Sequence, residues 1–401
     1  MRVSWTPAFA GVTVPVGKMR AAATSTCPPE GGGREGGQPR PARARARLWG
    51  VKLRYETLVV PLVWLGTVQP ACAEEPAVHR FLMSTVQLTP AQVVSLQRGE
   101  VVTRQLPAAD KPEMAAFGAV LVRASQDTFL ERFRDLASFR KTPTVLDIGR
   151  LGSPPQVEDL ASLTAEEDDL QAVRDCRPGA CDVKMARSAM DRLARELDWS
   201  APDARSRAVS VLKRMLVDYA SAYIRGGTSE MATYHDKQRP LDAPAEFRKL
   251  LAASPYLYQY LPAFHAYVEQ YPTGRLEGAE DLFYWTKEKL GPKPTVAMYH
   301  VTLWKDPKQP GQAVIASKQI YASHYFQACL ELLALVDAPG GGFYLMDLYR
   351  ARVDPPTGLL SGVVLGKIRN GIEEGVAQGL RAARAKAEAR ETPDAAHPGE
   401  P

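Results

Sequence analysis

Few residues in this sequence are placed to transfer a proton or hold a ligand. Its histidines are His79, His235, His265, His300, His324 and His397. No two of them have the three- or four-residue spacing that puts zinc ligands on one helix face, so no metal site is expected. There is no Gly-x-Ser-x-Gly elbow and no phosphate-cradling glycine loop, and no cofactor is expected. Tyr234-His235-Asp236-Lys237 is the densest polar run. Its histidine could act as an oriented general base, but adjacent residues need not face each other, and a surface loop is the simpler reading. His300 and Lys318 say more, because each interrupts a strand whose same-side neighbours are largely apolar or uncharged. They either line a partly wet cavity or point to solvent from a one-sided sheet. With Tyr299, Tyr321 and Tyr349 they form the candidate ligand-binding set. No catalytic residue is assigned, and His300 or His235 would be the acid/base of an alternative enzymatic reading. Aromatic residues crowd residues 254–285, from Tyr256 to Trp285. They are read as core packing, or as a lid over an apolar ligand.

Cys176-Arg-Pro-Gly-Ala-Cys181 sets a Pro-Gly turn between two thiols, a spacing at which a local disulfide closes. A thioredoxin-type or haem motif needs two intervening residues, so a structural staple is expected. Cys329 alternates with apolar neighbours and reads as a buried thiol.

The elements that carry these residues follow from periodicity. Residues 74–98 are a leader whose short helix opens at Thr89-Pro90. Strands are expected at Gly99–Leu106, Ala116–Arg123 and Val145–Ile148, with a helix capped by Ser125 between the second and third. Residues 153–293 read as helical throughout, including a capping box at Thr164-Ala-Glu-Glu167 and a helix over Glu277–Leu290. The acidic run Glu166-Glu167-Asp168-Asp169 reads as a solvated helix start. From Val296 the period falls to two, and hairpin-length loops join successive strands into an antiparallel meander. A long helix from Leu359 to Glu388 closes the chain, with Val364, Ile368, Ile372, Val376 and Leu380 as its apolar stripe. Gly371, Gly375 and Gly379 repeat at the same spacing and would permit a close approach to the sheet. Residues 389–401 read as a polar, disordered tail.

Strand, helix, strand and then a meander closed by one long helix resembles the START-like, helix-grip proteins of lipid transfer and polyketide cyclisation. That resemblance implies an α+β fold in which the meander wraps the C-terminal helix and leaves an apolar cavity between them. Residues 99–152 and 294–388 would form this domain, and 153–293 would be a large all-helical insertion. The whole chain also looks like exported bacterial proteins of unassigned function.

Export is read from residues 51–73, where a short charged lead, an apolar stretch and Ala71-Cys72-Ala73 form a signal peptide cleaved before Glu74. Residues 1–50 read as a disordered and spurious extension of the reading frame. The whole chain carries +5; residues 1–50 account for +6 and 51–73 for +1, so 74–401 holds 5 − 6 − 1 = −2. That balance gives no reason to expect a nucleic-acid partner. The expected protein is periplasmic or secreted, has no transmembrane segment in its mature chain, and binds an apolar small molecule. An envelope protein partner is the further alternative.

Overall fold

The computed structural model describes residues 77–356, 358 and 360–389. The expected extension, signal segment and cleavage site lie outside these residues, as does the tail from 390 onward. The described residues open with α1 (Ala77–Arg80), α2 (Pro90–Gln97), β1 (Val102–Gln105) and β2 (Glu113–Val122). Next come α3 (Gln126–Arg134), α4 (Leu136–Phe139), β3 (Val145–Leu151), α5 (Glu167–Arg174), α6 (Arg187–Glu196) and α7 (Ala204–Gly226). A small hairpin of β4 (Thr233–Tyr234) and β5 (Leu241–Asp242) precedes α8 (Ala243–Ala252), α9 (Pro255–Tyr260) and α10 (Pro262–Gln270). The meander is β6 (Ala279–Glu288), β7 (Thr295–Lys305), β8 (Gln312–Ala322), β9 (Phe326–Asp337) and β10 (Phe343–Val353), and α11 (Ser361–Glu388) follows.

Local chemistry sets the helix starts. At α2 the Thr89 hydroxyl accepts the Gln92 N–H, the Gln92 side chain accepts the Thr89 N–H, and Pro90 needs no partner at the first helical position. At α3 the Ser125 Oγ accepts the Thr128 N–H at 3.0 Å. The capping box expected at Thr164 does not form. Helix α5 begins at Glu167, and the Thr164 hydroxyl instead accepts from the buried Lys287 ammonium at 2.8 Å. A buried ammonium needs acceptors more than a helix end open to water does.

Eight strands form one antiparallel sheet in the order β1-β2-β10-β9-β8-β7-β6-β3. The expected meander is present and gains β6, which the sequence reads as part of a helix. Leu282 and Tyr284 pack on one side of β6 and Phe283 and Trp285 on the other, so the strand is buried on both faces. Such a strand shows no alternation of apolar and polar residues, which removes the signal that separates strand from helix.

Both faces of the sheet are covered. On one, α11 with α3 and α4 closes over β2, β10 and β9, and Phe129, Phe133, Val376, Leu380 and Ala383 meet Val120, Leu333 and Leu345. On the other, α7 to α10 and the N-terminal helices bring Tyr223, Phe247, Leu250 and Phe264 against Met298, Ile320 and Leu330. The result is α+β, with a meander gripping its last helix. The stripe read along α11 is buried at Ile368, Val376 and Leu380 and half-buried at Val364 and Ile372. The close approach is made by a glycine on the opposing strand: a Cβ on Gly118 of β2 would stand 2.5 Å from Val376 and 2.6 Å from Leu380. Helices α5 to α7 also enclose a small core of their own, with Leu170, Met190, Leu193 and Val211.

Candidate functional site

Between the sheet and α11 lies a cavity of about 130 Å³. The helix leaves this space open because it turns Gly375, Gly379, Ala382 and Ala383 toward it, and a Cβ on Gly379 would meet nothing within 4 Å. The sheet supplies the floor in rows fixed by strand register. Ser317 of β8 pairs with Glu331 of β9, which pairs with Tyr349 of β10; Tyr284 of β6 pairs with Tyr299 of β7. The Tyr284 and Tyr299 rings stack with centroids 4.8 Å apart. One register step away, Asp347 of β10 stands between Leu333 and Gly118.

The polar groups of this floor are unequally partnered. Arg140, just after α4, forks onto Glu331 (Nη2 to Oε2 2.5 Å, Nη1 to Oε1 3.2 Å) and donates to the Ser317 hydroxyl at 3.0 Å. Its Nε makes no hydrogen bond, and neither does the Oδ1 of Asp347, which is 5 % exposed. Thr286 Oγ1 in the same lining is also unpaired; a buried polar atom left so costs about 1–3 kcal/mol, and three around one cavity point to a polar group of a ligand. Burial and the neighbouring Glu331 push the Asp347 carboxyl well above the usual carboxylate range, against the pull of Arg140. A carboxyl raised in this way keeps its proton to higher pH than a free one, and while protonated it can donate a hydrogen bond as well as accept one. Burial likewise raises Glu288, Tyr299 and Tyr349, and lifts the Cys329 thiol to about 12. Cys329 is buried and free.

Two of the residues read from the sequence, Tyr299 and Tyr349, line this cavity; His300, Lys318 and Tyr321 lie on the other face of the sheet. There His300 and Lys318 are paired across β7 and β8 and sealed under α7 and α8, which overturns the solvent-facing alternative. His300 Nε2–H donates to Asp281 at 2.8 Å, its Nδ1 accepts from the Tyr223 hydroxyl at 3.0 Å, and its ring stacks on Phe283. Burial lowers its pKa in spite of Asp281. Asp281 itself is held low: burial would raise it, but bonds from His300, Tyr267 and Thr302 prevail. Lys318 donates to the Thr228 hydroxyl at 2.6 Å and sits 4.0 Å from the Phe247 ring centroid, and burial brings its pKa down to about 7. Neither residue lines the cavity beside α11. The crowded aromatics also divide: Phe264 stacks on Trp304 in the core, while Tyr258 and Tyr260 are exposed.

The Tyr234–Lys237 run serves the disulfide. Cys176 and Cys181 are bonded to each other. The turn they close donates Gly179 N–H to the His235 carbonyl and Cys181 N–H to the Asp236 carbonyl. The acidic run is less solvated than its composition suggests, since Glu166 pairs with Lys287 at 2.6 Å and Asp169 with His324 at 3.1 Å. Arg140, Glu331 and Asp347 were not singled out from the sequence. Asp347 interrupts Phe343-Tyr-Leu-Met-Asp-Leu-Tyr349 just as Lys318 interrupts its strand, so the same signal was available there.

The chain matches no protein-family model and no curated protein sequence. Among solved structures it is similar to the di-domain ARO/CYC StfQ from the steffimycin biosynthetic pathway, with 18% identity and a TM-score of 0.21 over 33% of this chain and 45% of that one. The match thus spans less than half of StfQ. It is similar to the Zhui aromatase/cyclase from Streptomyces sp. R1128, with 14% identity and a TM-score of 0.21 over 33% of this chain and 84% of that one. It is also similar to the di-domain ARO/CYC BexL from the BE-7585A biosynthetic pathway, with 13% identity and a TM-score of 0.22 over 69% of this chain and 99% of that one.

Proposed function

We propose that the protein is an exported binding protein that holds a small, largely apolar molecule between its sheet and its C-terminal helix. The observation that carries this reading is the cavity beside α11, with tyrosine and aliphatic walls and buried polar atoms left without partners, Asp347 Oδ1 and Arg140 Nε among them. A ligand with one hydroxyl or carbonyl on an apolar frame satisfies both atoms and fills the rest by contact. The Cys176–Cys181 disulfide supports an oxidising compartment. A catalytic version of the reading would use Asp347, whose pKa is raised, as general acid rather than His300 or His235, which do not border the cavity.

Native mass spectrometry of protein purified from its own envelope, set beside a Gly379→Leu variant, tests the proposal. Leucine at this position fills the cavity without meeting a neighbour at its Cβ. A small molecule retained by the parent and missing from a folded Gly379→Leu protein is the expected result. A parent that carries none, or a variant that keeps it undiminished, rejects the reading.

A further inference from the structure

On the opposite face of the sheet, a larger pocket of about 400 Å³ opens between α5, α6 and α7 and strands β6 to β8. That volume is within the ~300–1,000 Å³ usual for small-molecule sites. Three tyrosines in its lining, Tyr219, Tyr234 and Tyr321, have their oxygens engaged by the protein backbone. Tyr219 donates to the Ile320 carbonyl at 2.6 Å, Tyr321 donates to the Lys184 carbonyl at 3.3 Å, and the Tyr234 oxygen accepts the Ala322 N–H at 3.4 Å. These side chains therefore offer the pocket their rings. With Leu212, Met215 and Leu216 of α7 they make a wall that fits an apolar body.

The charged groups of the lining sort into two sets. Lys287 is matched to Glu166 at 2.6 Å, Lys184 to Asp354 at 2.9 Å, Arg192 to Asp218 at 2.6 Å, and Asp169 to His324 at 3.1 Å. Arg195 and Lys213 have no carboxylate partner among the described residues; Lys213 donates only to the Ala161 carbonyl, at 2.8 Å. Arg195 is exposed and Lys213 half-buried, so the two uncompensated cations stand where the pocket meets water. A carboxylate there would meet charge that the protein itself leaves unbalanced.

We propose that this pocket is a second binding site, for an apolar molecule bearing one carboxylate, whose body lies against the tyrosine rings and whose anion is held by Arg195 and Lys213. The site is independent of the cavity beside α11, and it gives α5 to α7, with their own small core and disulfide, a purpose as its roof. The test is titration calorimetry of the full exported chain with sodium dodecanoate, and with dodecyltrimethylammonium as the cationic counterpart. One dodecanoate per chain is expected, with binding weakened at least tenfold in the Arg195→Glu/Lys213→Glu double variant, lost in Ala189→Trp, and unchanged in Gly379→Leu. The cationic chain is expected to bind the double variant better than the parent. Absence of dodecanoate binding, equal binding by the charge-reversed protein, or loss of binding in Gly379→Leu alone overturns the proposal, and the last outcome moves the carboxylate to the other cavity. Should Ala189→Trp fail to fold, the charge-reversed pair still decides, because neither Arg195 nor Lys213 belongs to the core.

Discussion

Lys318 is an ammonium placed among rings. In the unfolded chain it keeps its proton up to about pH 10.5, whereas in the folded protein it does so only up to about 7. Between these values the unfolded chain binds more protons, so stability rises with pH; the cost is complete below pH 7 and gone above 10.5. At about 1.36 kcal/mol per pH unit this amounts to at most ~5 kcal/mol for a side chain that is 2 % exposed. Lys318→Met should accordingly melt well above the parent at pH 6, with the difference shrinking steadily as the melts are repeated toward pH 10. A difference that stays constant across that range would show that the charge is not what limits stability there. The sequence does mark Lys318 and His300 as unusual, and both prove buried. It does not show where they are buried, because strand alternation assigns a residue to a face but is silent about what covers that face. Asp347 and Glu331 illustrate the same limit, since their meaning comes from Arg140, which reaches them from a turn far away in the chain.

At the scale of elements, the grip on α11 depends on a pair of glycines with opposite roles. Gly118 lies where the helix presses on β2, and any Cβ there collides with Val376 and Leu380. Overpacking of this kind costs about 1–3 kcal/mol. Gly379 faces open space within a helix, where alanine is worth about 0.5–1 kcal/mol more than glycine. Urea unfolding should therefore show Gly118→Ala less stable than the parent and Gly379→Ala equal to it or more stable. If the order is reversed, the helix does not rest on β2 as described. The repeat of Gly371, Gly375 and Gly379 is visible in the sequence, but the partner glycine that permits contact sits on another element, and no pattern within one segment reveals it. Strand β6 was hidden for a related reason. Its charged flanks and doubly buried aromatic run carry no period of two, so only its pairing with β7 and β3 defines it.

For the molecule as a whole, the disulfide and the free thiol permit a direct test of the proposed export. Cys329 is buried and its thiol is pushed up to about 12, so it should resist alkylation in the native protein. In secreted material unfolded without reductant, a protein that begins at Glu74 should expose one reactive thiol, and reductant should release Cys176 and Cys181 as well. Labelling of Cys176 and Cys181 before reduction would show that the bond is absent from the secreted protein.

The strand order also governs when this molecule can exist. Strands β6 to β10 pair with their neighbours in the chain, but Val122 waits for Phe343, and Leu151 for Phe283. Closing such loops loses chain entropy before any contact between their ends can return it. A ribosome that has not yet made β10 therefore holds a chain in which β2 can pair only with β1, and the helix that covers them comes later still. During synthesis β2 keeps one edge open until β10 emerges. A chain held short of β10 thus carries an unpaired strand edge, open to the wrong partner, and that follows from the strand order alone.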